Sequence, residues 1–99
     1  MSSPKKSKNR SSRWFLYILK CSDNSFYTGI TNDLQRRLGK HNDGHASRYT
    51  RSRLPVDLIY HEQCRNKSIA LKKEYAVKSL SRFQKEEYIH QKTETLGSR

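Results

Sequence analysis

The fold of this chain is decided by residues 14–30, which read WFLYILKCSDNSFYTGI. The first half is apolar at consecutive positions, as in a strand covered on both faces, and the second half is aromatic and β-branched. The polar segment SDNS between the two halves contains the side chains that favour a tight turn. The pattern predicts an antiparallel hairpin, in which Gly29 marks a bulge or the close approach of another group to the backbone.

Beyond the hairpin, the sequence predicts one more strand and three helices. Asn32 can cap the first helix, in which Leu34 and Leu38 recur four residues apart. Ser81 and Gln84 form a capping box that begins the last helix. The predicted elements are a helix from Asp33 to residues 42–44, a polar loop over 45–55, a strand over 56–64 and helices over 68–80 and 81–89. This β-β-α-β-α-α order predicts an α+β fold of two layers, a three-stranded antiparallel sheet flanked by helices.

The charge of the chain favours a polyanionic partner. Its 99 residues include 21 Lys and Arg against nine Asp and Glu, for a formal net charge of +12. Such a charge repels itself in the folded state unless a polyanion screens it, and nucleic acid is the natural one. No run approaches the ~20 apolar residues of a membrane-spanning helix, and the N-terminus lacks the apolar region of a secretory signal. We therefore expect a cytoplasmic, nucleoid-associated protein without a membrane partner.

The length of the chain leaves room for one domain with a modest core. Residues 1–12 have no apolar side chain beyond the initial methionine, so we interpret them as a flexible basic arm. Residues 13–91 form the predicted domain, and residues 92–99 a polar tail. Cys21 and Cys64 lack the further ligands of a zinc site and are expected to be ordinary buried thiols.

Few side chains here could hydrolyse a phosphodiester, a reaction that needs a base for water and a cation for the developing charge. The acids form no D-x-D pair and no D-x-K or E-x-K triplet, which argues against a two-metal carboxylate cluster. On the first predicted helix, Arg37 and His41 share the sector of Leu34 and Leu38, so both face the protein. The alternative is that only their stems pack, while their polar heads reach water.

Three more side chains could complete such a site. Glu74 lies between two apolar sectors of its predicted helix, which suits a metal ligand; the alternative is an exposed ion pair with Lys78. Those sectors comprise Ile69, Ala76 and Leu80 on one side and Leu71 and Tyr75 on the other. Residues that pair across the hairpin point to the same side of the sheet. If the residue numbers of each pair add up to an even number, Tyr17 and Tyr27 lie on the same face; if they add up to an odd number, the two lie on opposite faces. Paired tyrosines on a sheet most often serve packing.

The polar loop over residues 45–55 interleaves cations with an aromatic ring. This composition suits phosphate contacts and base stacking, although a solvated loop could have it too. The residues of the loop that we predict to contact nucleic acid are Arg48, Tyr49, Arg51 and Arg53. Arg36, which points away from the protein-facing sector of its helix, is expected to join them.

Together these residues match the pattern of a known family. The matching positions, in chain order, are Leu16-Tyr17-Ile18, Tyr27-Thr28-Gly29, Arg37, His41 and Glu74. Their spacing resembles the GIY-YIG nuclease family, and above all its small stand-alone bacterial members, the YhbQ-like group. The likeness spans roughly residues 14–90, in segments such as YILKCSDNSFYTGITNDLQRRLGKHN and YTRSRLPVDLIY. The resemblance implies the family's fold, a three-stranded antiparallel sheet with helices packed on it.

The resemblance also implies a mechanism that uses one metal ion. Tyr17 or Tyr27 would assist deprotonation of the attacking water, and His41 would support a tyrosine. Arg37 would bind the scissile phosphate, and Glu74 would hold one Mg²⁺ or Mn²⁺. Because a neutral tyrosine is a poor base near neutral pH, nearby cations must lower its pKa. Arg37 and the metal ion are suited to that task.

Two positions depart from the family pattern. Leu16 replaces the usual glycine of the first motif, which should alter strand flexibility more than catalysis. Thr31 stands where some members have a lysine, and we include it among the predicted nucleic-acid contacts.

The sequence thus predicts a metal-dependent endonuclease that acts on DNA, in repair or in the processing of branched or damaged forms. Such substrates are expected because a domain this small has little surface for reading a long sequence. The alternative is a non-catalytic DNA- or RNA-binding module of the same fold. A protein partner could supply substrate choice. We expect a monomer or weak dimer without a small-molecule cofactor.

Overall fold

The computed structural model describes residues 13–97. Its elements are β1 (Trp14–Lys20), β2 (Phe26–Thr31), α1 (Leu34–Asn42), α2 (Arg48–Arg51), β3 (Asp57–Cys64), α3 (Lys67–Lys78) and α4 (Arg82–Gly97). The predicted order of strands and longer helices is confirmed, with the short α2 as an addition. The predicted basic arm, residues 1–12, lies outside the described residues.

The three strands form one antiparallel sheet in the order β2-β1-β3. In the hairpin, Tyr17 pairs with Gly29 and Leu19 pairs with Tyr27, so paired residue numbers have an even sum. Paired residues point to the same side of a sheet. The even register is therefore the observed one, and both tyrosines lie on one face.

β1 is the central strand, and its side chains alternate between two cores. Leu16 and Ile18 are fully buried against α3 and α4 on one face of the sheet. Tyr17 and Leu19 are buried on the other face, where they pack near Leu34 and other apolar residues of α1 and β3. β1 is therefore apolar at consecutive positions because both of its faces are covered, as the sequence predicted.

The starts of two helices show which local signals were correct. Asp33, not Asn32, caps α1, because the Asp33 carboxylate accepts a hydrogen bond from the Arg36 N–H at 3.2 Å. At the start of α4, Ser81 and Gln84 exchange capping hydrogen bonds of 2.9 and 3.1 Å, as predicted.

Two segments differ from the prediction. The polar loop contains the short helix α2, whose N-terminus is capped by the Ser47 hydroxyl. Four residues are too few for a helical period to show in the sequence, so the loop prediction was wrong there. α4 continues to Gly97, beyond the expected end at Ile89, so the first part of the predicted polar tail is helical.

The buried side of α3 is narrower than predicted. Ala70 and Val77 are buried, whereas Ala76 is exposed and Tyr75 is 80% exposed. In the first predicted sector Ile69 packs against the core and Leu80 is half-buried, whereas the second sector, Leu71 and Tyr75, is exposed, because the helix approaches the sheet mainly through Ala70 and Val77, which lie between the sectors. Glu74, one turn after Ala70, consequently has a side chain that is only 19% exposed.

A polar cluster fixes α3 and α4 against β3. Glu62 accepts hydrogen bonds from the hydroxyls of Tyr60 and Tyr88, at 2.6 and 2.5 Å, and forms an ion pair with Lys73 of α3. Burial alone would raise the pKa of Glu62, but these hydrogen bonds and the charge of Lys73 lower it overall. The cluster anchors the helix that carries Glu74.

Candidate active site

The face of the sheet that packs against α1 carries both predicted catalytic tyrosines. Tyr17 is 4% exposed, and its ring lies over Gly29 of the neighbouring strand. A Cβ on Gly29 would lie 2.6 Å from the Tyr17 hydroxyl oxygen, so only glycine leaves room for the phenol. The ring of the half-buried Tyr27 lies beside it, with ring centroids 6.4 Å apart. The close approach predicted at Gly29 is therefore made by the Tyr17 side chain.

His41 of α1 joins Tyr17 to the short helix α2. His41 Nε2 lies 2.9 Å from Tyr17 Oη, and His41 Nδ1 lies 2.8 Å from Thr50 Oγ1. The Thr50 hydroxyl donates to the Ser47 carbonyl at 3.4 Å, so its oxygen is left to accept from His41 Nδ1–H. His41 Nε2 is then an acceptor, and the Tyr17 hydroxyl donates to it. This chain of donors fixes both the tautomer of His41 and the orientation of Tyr17.

Thr50 is a site residue that the sequence analysis missed. It was assigned to a polar loop, whereas its side chain is fully buried and orients His41. The available signal was the Ser47-x-x-Thr50 spacing, which is typical of a helix start. A four-residue helix gives no hydrophobic period to support that signal.

Burial sets the protonation states of this pair. It lowers the pKa of His41 to about 4, with a smaller effect of Arg37 in the same direction, so the ring is neutral at neutral pH. Burial also raises the pKa of Tyr17; the charges of Tyr27 and Glu74 raise it further, while Arg37 lowers it. Arg37 thus lowers the pKa of Tyr17 as expected, but burial outweighs it and the pKa is raised overall.

Arg37 and Glu74 approach Tyr17 from two different helices. The charges of both act on Tyr17, Arg37 from the half-buried inner side of α1 and Glu74 from α3. Glu74 Oε2 also lies 3.2 Å from Lys78 Nζ, so the ion pair with Lys78 is present, although the Glu74 side chain is largely buried. Among the side chains of residues 13–93, Arg37 has no ion-pair partner.

The structure thus places three of the predicted catalytic residues, Tyr27, Arg37 and His41, beside the phenol of the fourth, Tyr17, and the charge of the fifth, Glu74, acts on it. The ring of Tyr27 contacts that of His41, with centroids 5.1 Å apart, so the aromatic groups form one cluster. Arg37 lines a small pocket with Tyr17, and the charge of Glu74 also acts on that phenol. Such an arrangement can bind an anion at Arg37, hold a cation at Glu74 and move a proton along the hydrogen bond between Tyr17 and His41.

Two of the predicted nucleic-acid contacts are used inside the protein. Thr31 is 4% exposed and its hydroxyl exchanges hydrogen bonds with the backbone of Asp33, which closes the turn into α1. Arg53 donates to the Asp23 carboxylate and the Tyr49 carbonyl, both at 2.9 Å, and stacks on the Tyr49 ring. Thr31 therefore first of all closes the turn into α1, and Arg53 first of all fixes Tyr49.

The remaining predicted contacts lie at the surface. Arg36, Arg48 and Arg51 are exposed, and Tyr49 is 37% exposed. The ring of Tyr49 lies 6.1 Å from that of Tyr27, so the aromatic cluster continues from the buried phenol to the surface. A continuous path of rings and cations therefore leads to Tyr17.

A cationic hollow lies beside Arg37, where β2 meets α1. It has a volume of about 180 Å³, and its walls comprise Thr31, Asn32, Asp33, Arg36, Arg37, Lys40 and His45. Within the described part of the chain, neither Arg36 nor Lys40 has a carboxylate partner. Unpaired cations around a hollow attract a phosphate group. Lys40 and His45 were not singled out from the sequence.

Comparison with known proteins identifies the family. A family model described as the GIY-YIG catalytic domain matches residues 13–88. The chain belongs to the GIY-YIG family. Among GIY-YIG relatives, a UPF0213 protein of Bacillus velezensis is 50% identical over 78 residues, which cover 79% of each chain. A UPF0213 protein of Halobacterium salinarum is 49% identical over 71 residues, or 72% of this chain and 92% of that one.

A solved structure supports the same GIY-YIG assignment at the level of the fold. The solution NMR structure of the protein EF2693 from E. faecalis shares 43% sequence identity and a TM-score of 0.58 with this chain, and the match covers 85% of this chain and 88% of the other. The resemblance found in the sequence is confirmed. This chain is a small GIY-YIG protein with UPF0213 relatives, and the family belongs to a nuclease superfamily.

GIY-YIG nucleases generally use a divalent metal ion, and the residues of this site fit one. Among the described side chains, those of residues 13–93, no three His, Cys, Asp or Glu are grouped as a metal cluster. Mg²⁺ does not require one, because it is commonly held by one or two carboxylates, with water and substrate phosphates as its other ligands. The hard carboxylate oxygens of Glu74 suit Mg²⁺ or Mn²⁺. Lys78 is half-exposed and can turn into solvent to release Glu74.

The buried neutral His41 predicts that stability depends on pH. The pKa of His41 is about 4 in the folded protein, whereas an unfolded chain has about 6.5. Between these values the unfolded chain binds a proton that the folded protein excludes, so the free energy of unfolding should fall as pH drops from about 6.5 to about 4. Thermal melts of wild type and His41→Gln at about pH 7 and about pH 5 measure this effect. Wild type should lose more stability than the variant, and equal losses would contradict the assignment.

No helix within the described residues is long and apolar enough to cross a membrane.

Proposed function

We propose that this chain is a metal-dependent endonuclease that hydrolyses phosphodiester bonds in DNA, in repair or in the processing of branched DNA. The observation that carries the proposal is that Arg37 and Tyr17 line one small pocket next to a cationic hollow, while the charge of Glu74 acts on the same buried phenol. Phosphodiester hydrolysis needs a group that moves the proton of water, a cation for the developing charge and a site for a metal ion. Each requirement has a candidate here.

Arg37 is proposed to bind the scissile phosphate, because its guanidinium has no ion-pair partner among the described side chains of residues 13–93 and can form two parallel hydrogen bonds to phosphate oxygens. Glu74 would hold one Mg²⁺ or Mn²⁺. When bound, the ion would neutralise negative charge that develops on the phosphate oxygens. Arg37 and Glu74 belong to different helices, so the substrate phosphate would bridge α1 and α3.

We assign the proton relay to Tyr17, because its hydroxyl donates to His41 Nε2 and its oxygen keeps a lone pair for water. The water proton would pass to Tyr17 Oη while the phenol proton passes to His41 Nε2, which leaves hydroxide to attack and an imidazolium behind. Arg37 lowers the pKa of His41, so a phosphate that neutralises Arg37 would make His41 a better proton acceptor. Tyr27, beside both rings, would help to orient the water.

The surface arginines are proposed to bind the DNA backbone on either side of the site. Arg36 would act from the cationic hollow, and Arg48 and Arg51 from α2, with Tyr49 available for stacking. We further propose a monomer or weak dimer in the cytoplasm, associated with the nucleoid, whose substrate choice a protein partner can adjust.

A non-catalytic DNA- or RNA-binding module of the same fold is the second candidate. The ion pair between Glu74 and Lys78 favours it, since that lysine competes with a metal ion for the carboxylate. The raised pKa of Tyr17 favours it too, because the phenol does not ionise by itself. Both candidates predict binding that weakens with salt, so only cleavage separates them.

Cleavage by an Arg37→Ala variant tests the proposal. Plasmid DNA, branched DNA and an RNA hairpin are incubated with Mg²⁺ or Mn²⁺ and an excess of protein. The single-turnover rate should fall about 100-fold or more, because a group that stabilises charge in the transition state is lost. The control is Lys92→Ala, which removes an equal charge beside Tyr88 on the opposite face of the sheet and should leave the rate unchanged.

The other outcomes are equally informative. Absence of cleavage by wild type on every substrate would favour the binding module. Undiminished cleavage by Arg37→Ala would indicate a contaminating nuclease. Cleavage of the RNA hairpin alone would contradict the assignment to DNA.

A further inference from the structure

An exposed apolar patch on α3 has no part in the packing of the domain. Tyr75 is 80% exposed, the highest value for a large apolar side chain in the described part of the chain, and Leu71 is 46% exposed. Residues four apart in a helix share a face, so the two side chains form one patch. The helix packs on the sheet through Ala70 and Val77 instead. The patch is therefore free to contact a partner.

The patch borders the carboxylate proposed to hold the metal ion. Viewed down the axis of α3, Leu71 lies about 60° and Tyr75 about 100° from Glu74. Lys78 lies on the same side and pairs with Glu74. Glu74 and the patch are thus adjacent stripes of one helix.

The size and charge of the patch fit a nucleobase better than a protein. One aromatic side chain offers roughly 150–250 Å² of surface. A stable protein interface buries about 800 Å² on each partner. α3 carries four lysines and one glutamate, so its partner should be anionic. A nucleotide of a single strand offers both a flat face for the ring and a phosphate for the lysines.

We propose that Tyr75, backed by Leu71, stacks on an unpaired base beside the phosphodiester that Arg37 and Glu74 would hold. Bases within a duplex already stack on one another, so this contact selects DNA with a single-stranded segment at the site, such as a flap or a branch. The position of the base relative to the reaction rests on the proposed function. The stacking itself is a binding property and can be measured without cleavage.

The test measures affinity by fluorescence anisotropy in EDTA. The ligands are a blunt duplex, the same duplex with a short single-stranded flap, and that flap built from abasic units. Wild type should bind the normal flap about tenfold more tightly than the abasic one. Tyr75→Ala should lose this difference and bind the blunt duplex as wild type does. Tyr75→Phe keeps the ring and should keep the preference.

Phe83→Ala is the matched control, since it removes a 67% exposed ring from α4 and should behave as wild type. Equal binding of the two flaps by wild type would overturn the proposal. The proposal would also be overturned if Tyr75→Ala lost the same amount of affinity for all three ligands. It would be overturned as well if light scattering showed that wild type is a dimer and that Tyr75→Ala is a monomer. If wild type shows the base preference but cleaves nothing with Mg²⁺, the hydrolytic function fails while the stacking stands.

Discussion

Replacing Gly29 with alanine is expected to slow cleavage about 100-fold and to lower the free energy of unfolding by about 2 kcal/mol. The new methyl group would lie 2.6 Å from Oη and 2.7 Å from Cζ of Tyr17. The phenol cannot turn aside freely, because it is buried and held by His41 at 2.9 Å. Moving the ring therefore breaks that hydrogen bond and displaces the group to which we assign the proton relay.

Gly39→Ala is the control for this substitution. Gly39 lies within α1, and a Cβ there would meet no atom within 4 Å. Alanine favours a helix over glycine by up to about 1 kcal/mol, so this variant should be at least as stable as wild type and equally active. Urea denaturation and single-turnover cleavage measure both properties. If Gly29→Ala and Gly39→Ala had similar stabilities and similar cleavage rates, the contact of Tyr17 with Gly29 would not be what fixes the site.

Glu74→Gln is expected to lower the rate of metal-dependent cleavage about 1000-fold or more. The neutral amide is a poor ligand for Mg²⁺, and the bound ion would contribute several kcal/mol of charge stabilisation, of which about 1.4 kcal/mol corresponds to each tenfold change in rate. The fold should hardly change, because the partner Lys78 is half-exposed and surface ion pairs contribute about 0–1 kcal/mol. Single-turnover cleavage at saturating Mg²⁺ measures the rate.

The control for Glu74→Gln is Glu86→Gln. Glu86 also forms an ion pair with a residue four positions away in its helix, Arg82, at 2.8 Å. Its loss removes the same charge and the same kind of contact from α4, and should leave cleavage intact. Similar rates for the two glutamine variants would remove Glu74 from the proposed mechanism.

The sequence predicted those features that local patterns specify. The hairpin follows from one apolar run, one turn and one aromatic run, and the capping box at Ser81 needs only neighbouring residues. The inward direction of Arg37 and His41 follows from the helical period, because Leu34 and Leu38 define the buried side of α1. Local rules sufficed wherever the deciding partners lie within one element or in the next one.

The features that depend on distant partners were not predictable in this way. Thr50 became a site residue only because α2 brings it against His41. The pKa of Tyr17 rises because burial, which no local pattern reports, outweighs the charge of Arg37. The side of α3 that packs on the sheet is the one that carries Ala70 and Val77, although larger apolar residues lay on both flanks. In each case the tertiary arrangement decided between local alternatives.

The central claim is that one divalent ion at Glu74 enables hydrolysis of a phosphate held by Arg37. Its most direct test is the single-turnover cleavage rate of wild type and Glu74→Gln as Mn²⁺ is raised from an EDTA-containing buffer to millimolar concentrations. We expect no cleavage in EDTA. As Mn²⁺ increases, the cleavage rate of wild type should rise along a single hyperbola, whereas the rate of Glu74→Gln should stay near zero or rise only at much higher Mn²⁺ concentrations. Cleavage by wild type in EDTA, or identical curves for the two proteins, would contradict the account.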